Sequence, residues 1–201
     1  MKPRILIATT NIGKFNEMME VLYPLKEFFD FVSLKDLNIT DKAVEDGDTY
    51  LDNARIKAEF YHNIAGIPTI AEDSGIEVCA LKGELGMHTR RWGAGEHASD
   101  EEWIEYFLKR MESYEDRRAS FKCTAFYIDS DGAKYHFFGE CPGVITKQLE
   151  APILTGIPLS SCFKAHGCDK VYASLQNVEK NKLSHRGKAM KKLYDHLKSE
   201  V

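Results

Sequence analysis

Apolar and polar positions in the first third of the chain follow two periods, one typical of buried strands and the other of amphipathic helices. Residues 4–9 form a short apolar run, which predicts a buried first strand. A helix is predicted to follow, with Met18, Val21 and Leu22 on its apolar face. A second helix is predicted to begin near Thr49, where Thr49 and Asp52 resemble a capping box, and to end at the Gly-Ile-Pro of residues 66–68. Its apolar residues recur at helical spacing: Leu51, Ala54, Ala58, Tyr61 and Ala65.

Four further apolar segments have the length of strands rather than helices. Residues 67–71 and 76–81 each predict a strand. Residues 121–128 and 134–139 flank a polar turn at 129–132, which indicates a β-hairpin. Because strands and helices alternate early in the chain and the hairpin comes late, the sequence predicts a mixed α/β class.

Two more helices are indicated by capping residues followed by apolar periodicity. Ser99 or Asp100 is expected to cap the first of them, and Ser184 the second, which is the last helix of the chain. The side chains expected to face the core are Trp103, Ile104, Phe107, Leu108 and Met111 in the first helix, and Ala189, Leu193 and Leu197 in the second.

Composition excludes some classes of protein. The 201 residues predict one domain over residues 1–201, or two small lobes around a cleft, and 43% hydrophobic residues are ample for a core. A net charge of -4 disfavours extended nucleic-acid binding. No apolar run approaches the ~20 residues of a membrane span, and the N-terminal run is shorter than a signal-peptide core. The five cysteines form no C-x-x-C pair, so free thiols in a reducing cytoplasm are expected: Cys79, Cys123, Cys141, Cys162 and Cys168.

The segment from Ile70 to Gly75 carries the most chemical information. It places Glu72, Asp73 and the Ser74 hydroxyl at the end of a short apolar run. Neighbouring side chains on an extended segment point in opposite directions, so the two carboxylates cannot be buried in the same way. One of them could face a cleft and hold a hard cation or take a proton from water. The alternative is a polar strand end that turns at Ser74 and Gly75.

Two polar loops precede the first two predicted helices. Residues 9–14, Thr-Thr-Asn-Ile-Gly-Lys, suit an anion through backbone amides and Lys14, although an ordinary strand–turn–helix connection explains them as well. Residues 45–49 are acidic, which the dipole of the following helix favours in any case. Asn53 and Lys57 lie one turn apart on that helix, where they would meet a ligand or simply be solvated.

A basic cluster at residues 179–187 lies at the predicted start of the last helix, where the dipole disfavours cations. A bound anion or a carboxylate partner would remove this penalty, and we favour an anion site. Cys162, His166 and Cys168 are close in sequence, but three ligands without the spacing of a zinc finger favour a loop without metal.

Taken in order, these segments resemble the inosine triphosphate pyrophosphatase family, the Ham1-like pyrophosphatases of non-canonical purine nucleoside triphosphates. Residues 9–14 are similar to its T-G-N-x-x-K phosphate loop, and residues 45–57 to its E-x-G-x-T-F-x-E-N-A-x-x-K-A helix entry. Residues 71–75 are similar to its A-D-D-S-G and residues 142–145 to its P-G-x-I, while residues 184–187 are identical to its S-H-R-G. The resemblance implies an elongated, mixed-sheet α/β fold of the ITPase-like (Maf/Ham1) type, with two lobes around a central cleft, and a homodimer.

The resemblance also implies hydrolysis between the α- and β-phosphates, giving a nucleoside monophosphate and pyrophosphate, with Mg²⁺ as cofactor. Asp73 would be the catalytic carboxylate, binding the metal and orienting or deprotonating the attacking water. Glu45 and Glu72 would complete the metal site with Asp73. The residues expected to contact the nucleotide are Thr9, Thr10, Asn11, Lys14, Asn53, Lys57, Ser74, Lys147, Ile157, Ser160, Lys180, His185 and Arg186.

The chain departs from the family where the base is expected to bind. The family carries G-F-G-Y-D-P there, and the equivalent residues 156–161 are Gly-Ile-Pro-Leu-Ser-Ser. Ile157 replaces the phenylalanine that stacks on the purine, an interaction worth ~1–3 kcal/mol for nucleic-acid bases. Ser160 replaces the aspartate, which removes an acidic hydrogen-bond acceptor. The reaction class is therefore better defined by the sequence than the base is.

We therefore expect an enzyme that hydrolyses ITP, dITP or XTP, with a small-molecule nucleotide and neither a nucleic-acid polymer nor a membrane as its partner. One alternative is the same chemistry on a modified or pyrimidine base. Another is a nucleotide-binding module without turnover, although three clustered acids argue against a pure binder. The sequence leaves open whether Arg91 and Trp92 serve the site or a subunit contact.

Overall fold

The apolar runs of the chain lie side by side as strands of one mixed sheet. A computed structural model describes residues 2–89, 92–95 and 97–201, and in this part of the chain the sheet has six strands. The strands are β1 Arg4–Ile7, β2 Asp30–Ser33, β3 Thr69–Val78, β4 Arg118–Ile128, β5 Lys134–Ile145 and β6 Phe163–Ala165. The α-helices are α1 Ile12–Leu22, α2 Tyr50–Ala65, α3 Asp100–Met111, α4 Asn177–Leu183 and α5 His185–Lys198.

The sheet has the strand order β2-β1-β3-β4-β5-β6. β1 runs parallel to both β2 and β3, whereas the pairs from β3 to β6 are antiparallel. The mixed α/β class and the late hairpin are thereby confirmed. β3 lies inside the sheet and pairs with β4 from Thr69–Ile128 to Val78–Ala119, so the strand that carries the two carboxylates is held along its whole length.

Successive residues of β3 face different helices. Ile70 packs in an apolar cluster with Cys123 and with Leu193 of α5, and α1 belongs to the same cluster. Ala71 packs on the other face of the sheet, in a cluster that includes Ala58 of α2. The alternation of a strand therefore sends neighbouring side chains into two separate layers.

The predicted helix starts are confirmed by their caps. The Thr49 hydroxyl accepts the Asp52 N–H at 3.0 Å and itself donates to the Asp52 carboxylate at 2.7 Å. Ser99 forms a complete capping box with Glu102. The Ser184 hydroxyl accepts the Gly187 N–H at 2.9 Å at the start of α5. These local bonds satisfy amide groups that a helix start leaves unpaired.

The expectation of separate strands at residues 67–71 and 76–81 is wrong, because β3 continues through both, and residues 79–81 form a 3₁₀ turn instead. The alternative of a turn at Ser74 and Gly75 is also wrong, because both residues lie within the strand. Gly75 is needed there because a Cβ atom would come within 2.0 Å of the Gly86 carbonyl oxygen. The glycine thus permits a close backbone contact rather than a turn.

Among the strands and α-helices of the described residues, the short strands β2 and β6 and the helix α4 were not predicted from the sequence. Trp92 packs edge-on against Trp103, with ring centroids 6.3 Å apart, whereas Arg91 lies outside the described residues. Among the described helices, none is long and apolar enough to cross a membrane.

Candidate active site

The loop between β1 and α1 is fixed by its own side chains. Asn11 caps α1, since its Oδ1 accepts the Lys14 N–H at 3.0 Å, and its Nδ2 donates to the Gly156 carbonyl at 2.9 Å. Gly13 allows residues 155–156 to approach, because a Cβ there would lie 2.6 Å from the Thr155 carbonyl oxygen. The predicted phosphate loop therefore touches the divergent segment 156–161 directly.

Glu72 lies on the face of β3 that meets α1 and α5, and it is surrounded by cations. Its Oε1 is 2.7 Å from the Lys14 ammonium, and its Oε2 is 3.4 Å from the Arg186 guanidinium. The Cys123 thiol donates to the same Oε2 at 3.2 Å. Burial raises the pKa of Glu72, but Lys14 and Arg186 outweigh it, so the pKa lies well below its ordinary value. This carboxylate is ionised and fully engaged.

A second buried carboxylate, Glu17 of α1, joins the two basic residues of α4 and α5. Lys180 contacts one of its oxygens and Arg186 the other. Burial raises the pKa of Glu17, but Arg186 and Lys180 lower it by more, so it lies below the ordinary value. Arg186 also donates to the Ser74 hydroxyl at 2.8 Å. Carboxylate partners therefore offset the charge of the predicted basic cluster. This was one of the two explanations considered for the cluster, and a bound anion was the other.

Asp73 lies on the opposite face of β3, against α2. Its Oδ1 is 3.5 Å from the Lys57 ammonium, and its Oδ2 accepts from the Asn53 amide at 3.4 Å. Lys57 makes a shorter pair with Glu45, at 2.8 Å. Burial raises the pKa of Asp73, and Glu72 and Glu45 add to this effect, so Lys57 and Lys14 do not bring the pKa back to its ordinary value. Asp73 is therefore less completely neutralised than Glu72.

The three carboxylates expected to hold a metal lie on both faces of β3, Glu72 on one face and Asp73 with Glu45 on the other. Within the described part of the chain, no group of three His, Cys, Asp or Glu side chains is placed to hold a metal ion. Glu72 lies on the face of β3 opposite to Asp73, and its two carboxylate oxygens form ion pairs with Lys14 and Arg186. Glu45 and Asp73 remain together because both contact Lys57.

A cavity of about 110 Å³ lies between α1, the segment 156–161 and the start of α5. Its lining includes the charged residues Lys14, Glu17 and Arg186 as well as aromatic side chains. Among the latter, the Phe121 ring stacks on His185 with centroids 4.6 Å apart and planes within 11°. Burial and the nearby Arg186 lower the pKa of His185 well below its ordinary value, so the imidazole is neutral at pH 7. The cavity thus offers both cations and flat, uncharged surfaces to a ligand.

The structure brings together most of the predicted substrate residues. Those that line the cavity are Asn11, Lys14, Ser74, Ile157, Ser160, Lys180, His185 and Arg186. Thr9 supports the loop by accepting the Asn11 N–H at 3.2 Å. Thr10 and Lys147 differ, because both are exposed and neither lines the cavity.

Several cavity residues were missed as functional candidates. Glu17 has no motif of its own, although its spacing from Lys14 puts both on one face of α1. Trp103 and Phe121 were assigned to the core from their apolar periodicity, and both are indeed buried. Their contact with the cavity depends on distant segments, which a local pattern does not indicate.

Comparison with known proteins gives one consistent result. Residues 5–196 match the model of the Ham1 family. The chain is 39% identical over 197 residues to the dITP/XTP pyrophosphatase of Geobacter sulfurreducens, covering 96% of each chain. It is 37% identical to the protein of the same name from Vibrio cholerae, covering 95% of this chain and 94% of that one.

Solved structures agree. The Staphylococcus aureus Ham1 protein has a TM-score of 0.80 at 31% identity, covering 98% of this chain and all (100%) of that one. A HAM1 protein from Coxiella burnetii has a TM-score of 0.81 at 30% identity, covering 99% of this chain and 100% of that one. The similarity in sequence and fold extends over the whole length, and the fold expected from the resemblance is confirmed.

Proposed function

Because this chain belongs to the Ham1 family, we propose that it is a nucleoside triphosphate pyrophosphatase acting on non-canonical purine nucleotides such as ITP, dITP and XTP. The reaction adds water across the bond between the α- and β-phosphates and yields a nucleoside monophosphate and pyrophosphate. The observation that carries the proposal is the position of Asp73, held by Lys57 and Asn53 and directly followed by Ser74, which lines the cavity.

The chain supplies two sets of groups for this reaction. Lys14 and Arg186 line the cavity, where they bind and orient the phosphates. Asp73 orients the attacking water and accepts its proton. The raised pKa of Asp73, caused first by burial, makes its carboxylate a stronger base than that of an exposed aspartate.

A family of nucleoside triphosphate pyrophosphatases implies a divalent cation, and we propose Mg²⁺ held by Glu45 and Asp73. These two fit because their carboxylates share one ammonium, Lys57, so an added positive charge has hard oxygen ligands available. The bound cation would neutralise phosphate charge and lower the pKa of water. Glu72 is left out of this set, and its task is to hold Lys14 and Arg186 in position.

The test is a panel of canonical and altered nucleoside triphosphates, followed by pyrophosphate release with and without Mg²⁺. We expect release from ITP, dITP and XTP, and little from ATP or pyrimidine nucleotides. Preferential turnover of another base would keep the chemistry and reject the purine assignment, an outcome for which Ile157 and Ser160 provide the reason. No pyrophosphate from any member would reject the enzyme and favour a nucleotide-binding module.

We further propose a cytoplasmic homodimer. All five cysteines are free, which supports a reducing compartment, and two of them, Cys123 and Cys162, are completely buried. The dimer follows from the family resemblance, and light scattering on the purified protein tests it. A monomer at micromolar concentration would contradict it.

A further inference from the structure

Trp103 of α3 belongs to the wall of the cavity, and the catalytic proposal above gives it no task. It is 1% exposed and stacks on Phe107, with centroids 5.4 Å apart and planes within 12°. It also lines the cavity. Its ring is therefore held rigidly in the cavity wall.

The indole N–H of Trp103 has no acceptor among the described residues, although it is buried. Such a group is rare in folded proteins, since a buried donor without a partner loses its bond to water and gains nothing in return. One other buried group in the cavity wall, His185 Nδ1, is also without a hydrogen-bond partner among the described residues. An imidazole nitrogen can be either donor or acceptor, whereas an indole N–H only donates. Trp103 therefore requires a hydrogen-bond acceptor on the ligand atom that it contacts.

The segment that departs from the family is attached to the helix of Trp103. The Gly156 N–H donates to the Asp100 carboxylate at 2.6 Å, one turn before Trp103 on α3. The segment offers Ile157 and Ser160 to the cavity in place of an aromatic ring and an acid. Aromatic surface and a fixed hydrogen-bonding group are therefore supplied from α3 instead.

We propose that Trp103 is a specificity-determining residue, whose indole N–H donates a hydrogen bond to a ring carbonyl of the bound base. The proposal rests on the proposed pyrophosphatase function and deepens it. Hypoxanthine and xanthine carry a carbonyl acceptor at the position where adenine carries an amino donor. The indole N–H can bond to the carbonyl of hypoxanthine or xanthine but is left unpaired beside the amino group of adenine. Buried polar groups discriminate between substrates in this way.

The test compares two enzymes on two substrates. Wild type and Trp103→Phe are assayed with inosine triphosphate and with purine riboside triphosphate, which has hydrogen in place of the carbonyl. We expect kcat/KM of wild type to be about tenfold lower for the analogue. Trp103→Phe should lose about the same factor on inosine triphosphate and treat the two substrates alike. An equal loss on both substrates would reduce Trp103 to a packing residue and overturn the proposal.

Trp92→Phe is the matched control, because it removes the other indole N–H of the chain from a ring that touches Trp103 but does not line the cavity. It should keep the wild-type preference for the carbonyl. It also leaves Trp103 as the single tryptophan, so that its emission reports binding without any change at Trp103.

This second measurement covers the case in which Trp103→Phe does not fold, and it needs no turnover. In the double variant Trp92→Phe, Asp73→Asn, Trp103 emission should report about tenfold tighter binding of inosine triphosphate than of the analogue. Equal affinities, or no change in emission with either nucleotide, would overturn the proposal. Absence of pyrophosphate from wild type would instead reject the enzyme, while the binding comparison still decides on Trp103.

Discussion

The two faces of β3 hold adjacent carboxylates in opposite electrostatic surroundings. On the face of α1 and α5, Glu72 meets the ammonium of Lys14 and the guanidinium of Arg186, and its pKa lies well below the ordinary value despite complete burial. On the face of α2, Asp73 shares Lys57 with Glu45, and burial keeps its pKa above the ordinary value. Glu72 is therefore surrounded by more positive charge than it carries negative charge, whereas the charge of Asp73 is only partly compensated.

The difference separates a carboxylate that supports the structure from one that is available for chemistry. A buried ion with excess opposite charge around it has no need of another cation, and removing it leaves those cations unpaired. A buried ion that is only partly compensated gains from any added positive charge, whether a metal ion or a proton taken from water. We therefore expect substitutions at the two positions to affect different measurements.

The largest effect is expected from Asp73→Asn. The amide keeps the size of the side chain and its contact with Asn53, but it cannot take a proton or bind a cation strongly. We expect kcat for pyrophosphate release to fall by about 10²–10⁴-fold. Nucleotide affinity in equilibrium dialysis should change little, and the free energy of unfolding in urea should not decrease.

Asp131→Asn is the control, since Asp131 is exposed in the hairpin turn between β4 and β5. It should retain wild-type kcat. Full activity in Asp73→Asn would contradict the catalytic assignment, and a large loss of stability would show that Asp73 is structural like Glu72.

The next largest effect is expected from Glu72→Gln. Replacing this carboxylate leaves Lys14 without its partner and Arg186 with Glu17 alone, so we expect the free energy of unfolding to fall by about 3–5 kcal/mol. Urea denaturation at pH 7 measures it.

Glu77→Gln is the matched control on the same strand. Its exposed pair with Lys122, at 2.7 Å, should contribute less than about 1 kcal/mol. Similar values for the two variants would remove the contrast between the faces of β3.

The smallest effect concerns pH and tests the α1–α5 face through Glu17. The pKa of this carboxylate is lowered in the folded protein by Arg186 and Lys180, which outweigh burial, from an ordinary value of 4.5. Its contribution to stability is therefore complete above pH 4.5 and is lost as the pH falls through the folded pKa.

Wild type should be more stable than Glu17→Gln by roughly 2 kcal/mol at pH 7. The gap should stay constant down to about pH 5 and shrink below the ordinary pKa of a glutamate. Urea midpoints of both proteins across this range measure it. A gap that is independent of pH would show that Glu17 contributes by packing and not by charge.

Local patterns in the sequence were sufficient for most helices and for the hairpin, because caps and apolar periodicity are local properties. They failed at Gly75, since the reason for that glycine is the carbonyl of Gly86, which reaches it from a separate segment. They also failed for β6, which has only three residues and depends on pairing with β5.

The site divides in the same way. Opposite orientations of Glu72 and Asp73 follow from strand geometry alone, and the structure confirms them. The partners of Glu72 could not be predicted from strand geometry, because Lys14 and Arg186 are 58 and 114 residues away from it in the sequence. Trp103 was correctly assigned to a buried helix face, but a missing acceptor for its N–H becomes visible only when every neighbour is in place.

The continuity of β3 has a consequence for how this protein can change over evolutionary time. A deletion or insertion of one residue between Thr69 and Glu72 would shift the register and exchange the two faces. After a deletion, the aspartate would meet Lys14 and Arg186, and the serine hydroxyl would meet Lys57. Substitutions can therefore alter this strand one position at a time, but changes in its length would invert the site in a single step.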